Sequence, residues 1–192
     1  MPQLWIVGGP NGAGKTTLAD YWLDRTIPVI SPDSIAVKSG LSPIQAGRAT
    51  IQKQELLLAE RKSFAIDTTL SGNRELDLMS RARRLGYKTN LIFIGIQNVS
   101  VCKGRIKERT AKGGHAVPDE DVDRRYARSM ANLPEAIERA DRAFILDNSG
   151  EYRRLLFMIE NGRVRNLSGR LPAWALTTIP ERYLKRQRGP EL

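Results

Sequence analysis

The stretch Gly8-Gly9-Pro10-Asn11-Gly12-Ala13-Gly14-Lys15-Thr16-Thr17 decides how the rest of the chain is read. From Gly9 to Thr16 it runs glycine, four residues, glycine, lysine, threonine, the pattern of a phosphate-binding loop. Its flanks fit. Leu4, Trp5, Ile6 and Val7 make an apolar run of strand length before it, and Lys15 to Arg25 reads as a helix with Leu18 and Trp22 on one face. The glycines let backbone N–H groups turn toward phosphate oxygens, and the helix adds its unpaired N–H groups and positive dipole end. Gly9, Pro10, Asn11, Gly12, Ala13, Gly14, Lys15, Thr16 and Thr17 are therefore the expected nucleotide-binding residues. Lys15 is expected to neutralise the β- and γ-phosphates of ATP, and Thr16 to place its hydroxyl on Mg²⁺.

Outward from this loop, short apolar runs alternate with helical patterns. Val29-Ile30, Phe64-Ala65-Ile66, Leu91 to Ile96 and Phe144-Ile145-Leu146 read as further strands. Between them, Ser42-Pro43-Ile44-Gln45 opens a helix with a capping box and a first-turn proline; Ile44, Ile51 and Leu58 lie seven apart along it. Asn73 to Leu85 forms another, with Leu78, Ala82 and Leu85 on one side and Gly86 as its stop. Val99 to Lys112 turns Val99, Cys102 and Ile106 inward. Pro118 starts the next helix, with Asp119, Glu120 and Asp121 at its positive end. The alternation predicts an α/β fold of the P-loop NTPase class, a nucleotide-kinase-like parallel sheet with helices on both faces. Residues 1–150 are expected to form the core. Residues 151–192 are expected to form a hairpin, Leu155 to Ile159 and Val164 to Leu167 around Asn161-Gly162, and a basic tail on the same domain.

Composition narrows the classes. The chain has 192 residues, 41% hydrophobic and 27% charged, which excludes disorder as the main state. One cysteine, Cys102, excludes a disulfide framework or a thiolate zinc site and suits a reducing compartment. No apolar run has the length of a membrane span and no signal-peptide pattern is present, so the expected location is the cytoplasm, without membrane attachment. The net charge of +10 raises nucleic acid as a partner, but aromatics are 6% and do not interleave with the basic residues, which argues against it.

Three features bear on the reaction. Asp33 follows the second strand eighteen residues after Lys15. It is placed either to accept a proton from an attacking hydroxyl or to cap a helix from Ser34 to Lys38. Asp67 and Thr69 follow the third strand. Asp67 suits orienting Mg²⁺ through water or gripping an acceptor's hydroxyls; Thr69 suits the same substrate or a helix cap. Arg105, Arg109 and Lys112 make a basic stripe. After Gly113-Gly114-His115, Arg124, Arg125 and Arg128 continue it on the next helix. A glycine hinge between two arginine-bearing helices predicts a basic helical lid at about residues 103–130, the alternative being a solvated basic face. His115 has no second histidine or nearby cysteine, so it is expected to pack in the lid or touch phosphate.

Together these residues resemble the zeta toxins and their shorter relatives, P-loop small-molecule kinases. The resemblance rests on Gly8 to Thr17, Ser31-Pro32-Asp33, Phe64 to Gly72, and Arg109 to Pro118 with Arg124 to Ser129, and covers about residues 1–150. It implies phosphoryl transfer from ATP to a sugar hydroxyl of UDP-N-acetylglucosamine. In that reading Lys15 is the phosphate lysine, Asp33 the catalytic base, Asp67 and Thr69 the substrate grip, and Arg105 or Arg109 the first lid arginine. Arg124 or Arg125 stands in for the second. It also implies a small helical antitoxin as partner. The sequence departs from the larger toxins at Asp67, where they carry glutamate, and at Ser71, where they carry arginine. Two other readings are another small-molecule phosphotransferase, acting on a nucleoside or antibiotic, and a nucleotide-dependent nucleic-acid-binding ATPase.

Overall fold

The computed structural model describes residues 1–22, 26–114 and 116–184. The expected helix end at Arg25, the inward side chain of Trp22, the placing of His115 and the last basic residues of the tail lie outside what is described.

The chain runs β1 (Gln3–Gly8), α1 (Lys15–Trp22), β2 (Val29–Ile30), α2 (Pro32–Ser39), α3 (Pro43–Ala59), β3 (Phe64–Thr68), α4 (Arg74–Arg84) and β4 (Lys88–Gly95). It continues with α5 (Val99–Ala111), α6 (Asp119–Arg139), β5 (Arg142–Asp147), β6 (Arg154–Glu160), β7 (Arg163–Leu167), α7 (Ala173–Thr178) and α8 (Glu181–Leu184). One sheet takes the order β2-β3-β1-β4-β5-β6-β7. The first five strands are parallel, and β6 and β7 add an antiparallel hairpin. Asn161 at φ 49° and Gly162 at φ 72° form its turn, a left-handed pair that asparagine and glycine accommodate.

Central strands are buried on both faces, as parallel sheets require: Leu4, Ile6 and Val7 of β1 and Leu91 to Ile94 of β4 are inaccessible or nearly so. One face packs Leu76 and Met79 of α4, Leu133 and Ile137 of α6, and Trp174 of α7 into one core. The other face packs Leu18 of α1, Cys102 and Ile106 of α5, and Val122 of α6 into a second. Helix α6 therefore contributes to both cores, Val122 to one and Leu133 to the other.

Local chemistry sets the helix starts. Ser42 and Gln45 close the capping box of α3, with Pro43 in its first turn. Ser31 caps α2, accepting from the Ser34 amide at 3.1 Å. Asp33 thus lies inside the first turn of α2 and is not its cap. Nor does Thr69 cap α4: Asn73 occupies that position, and the Thr69 hydroxyl lies 2.8 Å from that of Ser71. The seven-residue stripe on α3 fails at its start, where Ile44 is 71% exposed, because the buried face runs through Ala46, Thr50, Gln54 and Leu58 and leaves Ile44 to one side. Leu85 is likewise exposed, beyond the last turn of α4. After Leu171, where the sequence gives a docked arm or frayed end, Trp174, Ile179 and Tyr183 are buried in the core.

Candidate active site

The loop between β1 and α1 is shaped by close packing around its glycines. Gly9 has φ 143°, and a Cβ there would sit 2.4 Å from the Ile94 carbonyl oxygen of β4. Gly12 has φ 75°, with a Cβ position 2.8 Å from the carbonyl oxygen of Cys102 in α5. Both contacts are with backbone, so no side-chain rotation relieves them. The loop is clamped between the end of β4 and the first turns of α5.

Lys15 is 8% exposed and donates from Nζ to the carbonyl of Pro10 at 2.9 Å. Burial pulls its pKa below the ordinary lysine value; Asp67, Cys102 and Asp33 favour the charged form, and Arg109 opposes it. Five sequence-distant groups therefore share one electrostatic neighbourhood. Burial pushes the Cys102 thiol up to about 11, so it is present as a neutral thiol behind the loop. The Thr16 hydroxyl donates to Asp67 Oδ2 at 2.9 Å, joining the first turn of α1 to β3. A hydroxyl and a carboxylate are hard oxygen donors, the set that suits Mg²⁺.

Two residues that the sequence reading did not single out complete this wall. After β5, Asn148 donates from Nδ2 to the Ala13 carbonyl at 2.9 Å, and Arg153 donates to the Gly14 carbonyl at 3.3 Å. The signal available for them was a turn cluster, Asn148-Ser149-Gly150, at the carboxyl end of the last parallel strand, where ligands gather in such sheets. Asn11 Oδ1 and Arg153 Nε are buried with no hydrogen-bond partner among the described residues. Such orphaned groups at a loop of this shape fit a polar ligand. On the other flank of the same segment a cavity of about 680 Å³ is lined by Gln97, Ser149, Gly150, Tyr152 and Arg154, a volume in the small-molecule range.

Asp147, 3% exposed at the end of β5, anchors the C-terminal arm. It accepts from Trp174 Nε1 at 3.0 Å, from Arg154 Nε at 3.1 Å and from the Ser149 hydroxyl. Burial alone would raise its pKa; the hydrogen bonds from Ser149, Trp174 and Arg154 outweigh that and hold it below the usual aspartate value. Gly95 leaves room for the Trp174 ring, which would lie 2.3 Å from a Cβ.

The arginines divide. Arg109 acts on Lys15, and Arg105 reaches the Gly150 carbonyl at 3.5 Å. Arg124 and Arg125 are ion-paired with Asp121 on their own helix at 2.6 and 3.5 Å. Lys103 of α5 reaches Asp123 of α6 at 2.8 Å, so the two helices are bridged beside the glycine hinge. Gly114 closes on Arg109, where a Cβ would lie 2.9 Å from the Arg109 carbonyl.

A family described as AAA domain matches residues 4–133. A Haemophilus influenzae protein named only as uncharacterized is 35% identical over 136 residues, 65% of this chain and 97% of that protein. Among solved structures, a chain of the AvrRxo1-ORF1:AvrRxo1-ORF2 complex with sulphate ions has a TM-score of 0.72 at 15% identity. It covers 100% of this chain and 66% of that one. The same complex with ATP gives 0.70 at the same identity and coverage. A structure of the PezAT chromosomal toxin–antitoxin system of Streptococcus pneumoniae gives 0.57 at 19% identity, covering 80% of this chain and 71% of that one. The chain thus spans just under two thirds of the length of the AvrRxo1 chain. At these identities the likeness establishes architecture: a P-loop NTPase, nucleotide-kinase-like fold.

Proposed function

Because the chain belongs to the AAA domain family, with a P-loop kinase-like fold, we propose that it is an ATP-dependent small-molecule kinase of zeta-toxin type. The acceptor is an alcohol, a sugar hydroxyl of UDP-N-acetylglucosamine or a related metabolite. The observation that carries this reading is the hydrogen bond from the Thr16 hydroxyl to Asp67 Oδ2 at 2.9 Å beside a glycine-built loop that buries Lys15.

The roles follow from position. The amides from Gly9 to Thr17 hold the triphosphate, and Lys15, released from the Pro10 carbonyl, neutralises its β- and γ-phosphates. Thr16 would hold Mg²⁺, which would neutralise charge on the same oxygens. Asp33, exposed at the start of α2, takes the proton from the acceptor hydroxyl as its oxygen bonds to the γ-phosphorus and the bond to the β-γ bridging oxygen breaks, leaving ADP. Asp67 and Thr69 grip the acceptor. Arg105 and Arg109, with Arg124 and Arg125 freed from Asp121, stabilise the transferring group as the lid at about residues 103–130 closes. Residues 1–150 serve as the kinase core, and residues 151–192 complete the same unit.

No helix among the described residues is long and apolar enough to cross a membrane, and we place the protein in the cytoplasm. A small helical antitoxin is its proposed partner, since similar structures come from two-component complexes, AvrRxo1-ORF1 with ORF2 and PezAT. A second acceptor class, a nucleoside or antibiotic, is favoured by Ser71, which is bonded to Thr69 where the larger toxins carry arginine. The test is labelled-ATP turnover with UDP-N-acetylglucosamine and a nucleoside panel, wild type against Asp33→Asn. We expect transfer to fall at least 100-fold in the variant with ATP affinity within threefold. Undiminished transfer removes Asp33 as the base.

A further inference from the structure

Leu70 follows the grip residues Asp67 and Thr69, and its backbone is left-handed at φ 53°, unusual for a branched apolar residue. Its side chain is fully buried and packs beneath the phosphate loop, where a Cβ on Gly8 would lie 3.3 Å from Leu70 Cβ. Such a conformation persists only where the surroundings over-determine it. Two devices do so. The Thr68 hydroxyl accepts from the Leu70 amide at 3.1 Å and donates to Glu75 Oε1 at 3.0 Å. From the other side, Asn132 of α6 donates from Nδ2 to the Leu70 carbonyl at 3.0 Å and to the Gly72 carbonyl at 3.2 Å. Asn132 lies one turn beyond Arg128 on the helix that continues the lid, sixty residues away in sequence from the segment it holds.

We infer that Asn132 is a positioning residue: its carboxamide fixes the β3–α4 segment from Thr68 to Gly72 and thereby sets the acceptor subsite formed by Asp67 and Thr69, tying that subsite to the lid helix. The inference deepens the kinase reading and rests on it for the identity of the subsite. The nucleotide side is held by other contacts, from Asn148, Arg153 and the ends of β4 and α5. Loss of Asn132 therefore acts more on the acceptor than on the nucleotide. Only a donor at this position satisfies both carbonyls, so Asn132→Asp sets an anion against them while keeping the size.

The experiment uses Asn132→Ala, Asn132→Asp and Asn132→Gln in the full chain, with UDP-N-acetylglucosamine as acceptor probe. In Asn132→Ala and Asn132→Asp the acceptor KM is expected to rise at least tenfold, with kcat changed less than threefold and ATP affinity within twofold. Asn132→Gln, which keeps the amide donor, recovers at least part of the loss. In parallel, hydrogen exchange at the amides of Leu70, Ser71 and Gly72 is expected to quicken at least tenfold in the alanine variant, with α4 and β3 unchanged. Unchanged exchange overturns the inference whatever the acceptor is. An equal loss of ATP and acceptor affinity also overturns it, because that marks general damage to the site. If the wild type phosphorylates no acceptor while exchange in the segment responds as expected, the kinase reading fails and the clamp stands.

Discussion

Replacing Lys15 by methionine should leave the stability of the nucleotide-free protein nearly unchanged while abolishing its use of ATP. The ammonium is 8% exposed, and burial is the largest influence on it, pulling its pKa below 10.5. Its direct bond among the described residues, to the Pro10 carbonyl at 2.9 Å, has a charged donor and is worth roughly 1.5–3 kcal/mol. That carbonyl also accepts from the Ala13 amide at 3.2 Å, so it is not orphaned when the lysine goes. Exchanging buried charge for an apolar side chain of similar volume is commonly worth about 1–4 kcal/mol. Net of the lost bond the two figures nearly cancel, so the nucleotide-free Tm should move by no more than roughly 2–4 °C for a chain of this size. The wild type at ATP about 100-fold above its Kd should gain about 2.7 kcal/mol. The variant should gain little, since losing charged contacts to two phosphates costs on the order of 3 kcal/mol, about 100-fold in affinity. Thermal melts with and without Mg-ATP measure both effects. The sign with pH is also fixed. Lys15 titrates lower in the folded chain than in the unfolded one, so its unfavourable contribution fades as pH climbs from the folded pKa to 10.5, and stability rises across that window. Asn, Gln or Met at this position would remove that rise. A methionine variant whose nucleotide-free Tm falls by well over about 4 °C, or that keeps the full ATP shift, refutes the argument.

Gly12→Ala places a Cβ 2.8 Å from the Cys102 carbonyl at φ 75°. The left-handed backbone alone costs about 1–2 kcal/mol, so ATP affinity by calorimetric titration should fall tenfold or more, and unchanged affinity would show that the loop is not clamped by α5. Asp147 titrates below the ordinary 3.8. Its contribution is therefore intact above that value and is lost as pH falls through the lower folded value, so an acid titration should release Trp174 and change its fluorescence. Trp174→Phe should cost about 1 kcal/mol in a denaturant melt by deleting the bond to Asp147, and a cost below measurement would mean that packing alone docks the arm.

How much of this was legible in the sequence depends on how far each signal reaches along the chain. The phosphate loop, the Ser42 capping box and the Asn161-Gly162 turn are written in runs of two to eight neighbours, because their bonds close within a turn or two. Periodicity misplaced Ile44 because the buried face of α3 is the polar-containing stripe Ala46, Thr50, Gln54 and Leu58, and misplaced Leu85 because it lies just past the end of α4. Asn132, Asn148, Arg153 and Trp174 were out of reach for another reason. Each acts on a carbonyl or carboxylate between 27 and 139 residues away, and nothing beside it in sequence announces the partner.

The same distinction separates residues kept for stability from those kept for chemistry. Leu70 and Lys15 are both held in states that cost free energy, one in backbone conformation and one in desolvated charge. A chain selected for stability alone would keep a left-handed backbone away from a buried leucine and place an apolar side chain at the second position. Both costs fall at the carboxyl ends of β1 and β3, where Gly8 pairs with Thr68 in adjacent parallel strands. Strain gathered at the edge where an open parallel sheet receives its ligands suits the proposed kinase site. Neither cost is needed to fold the sheet.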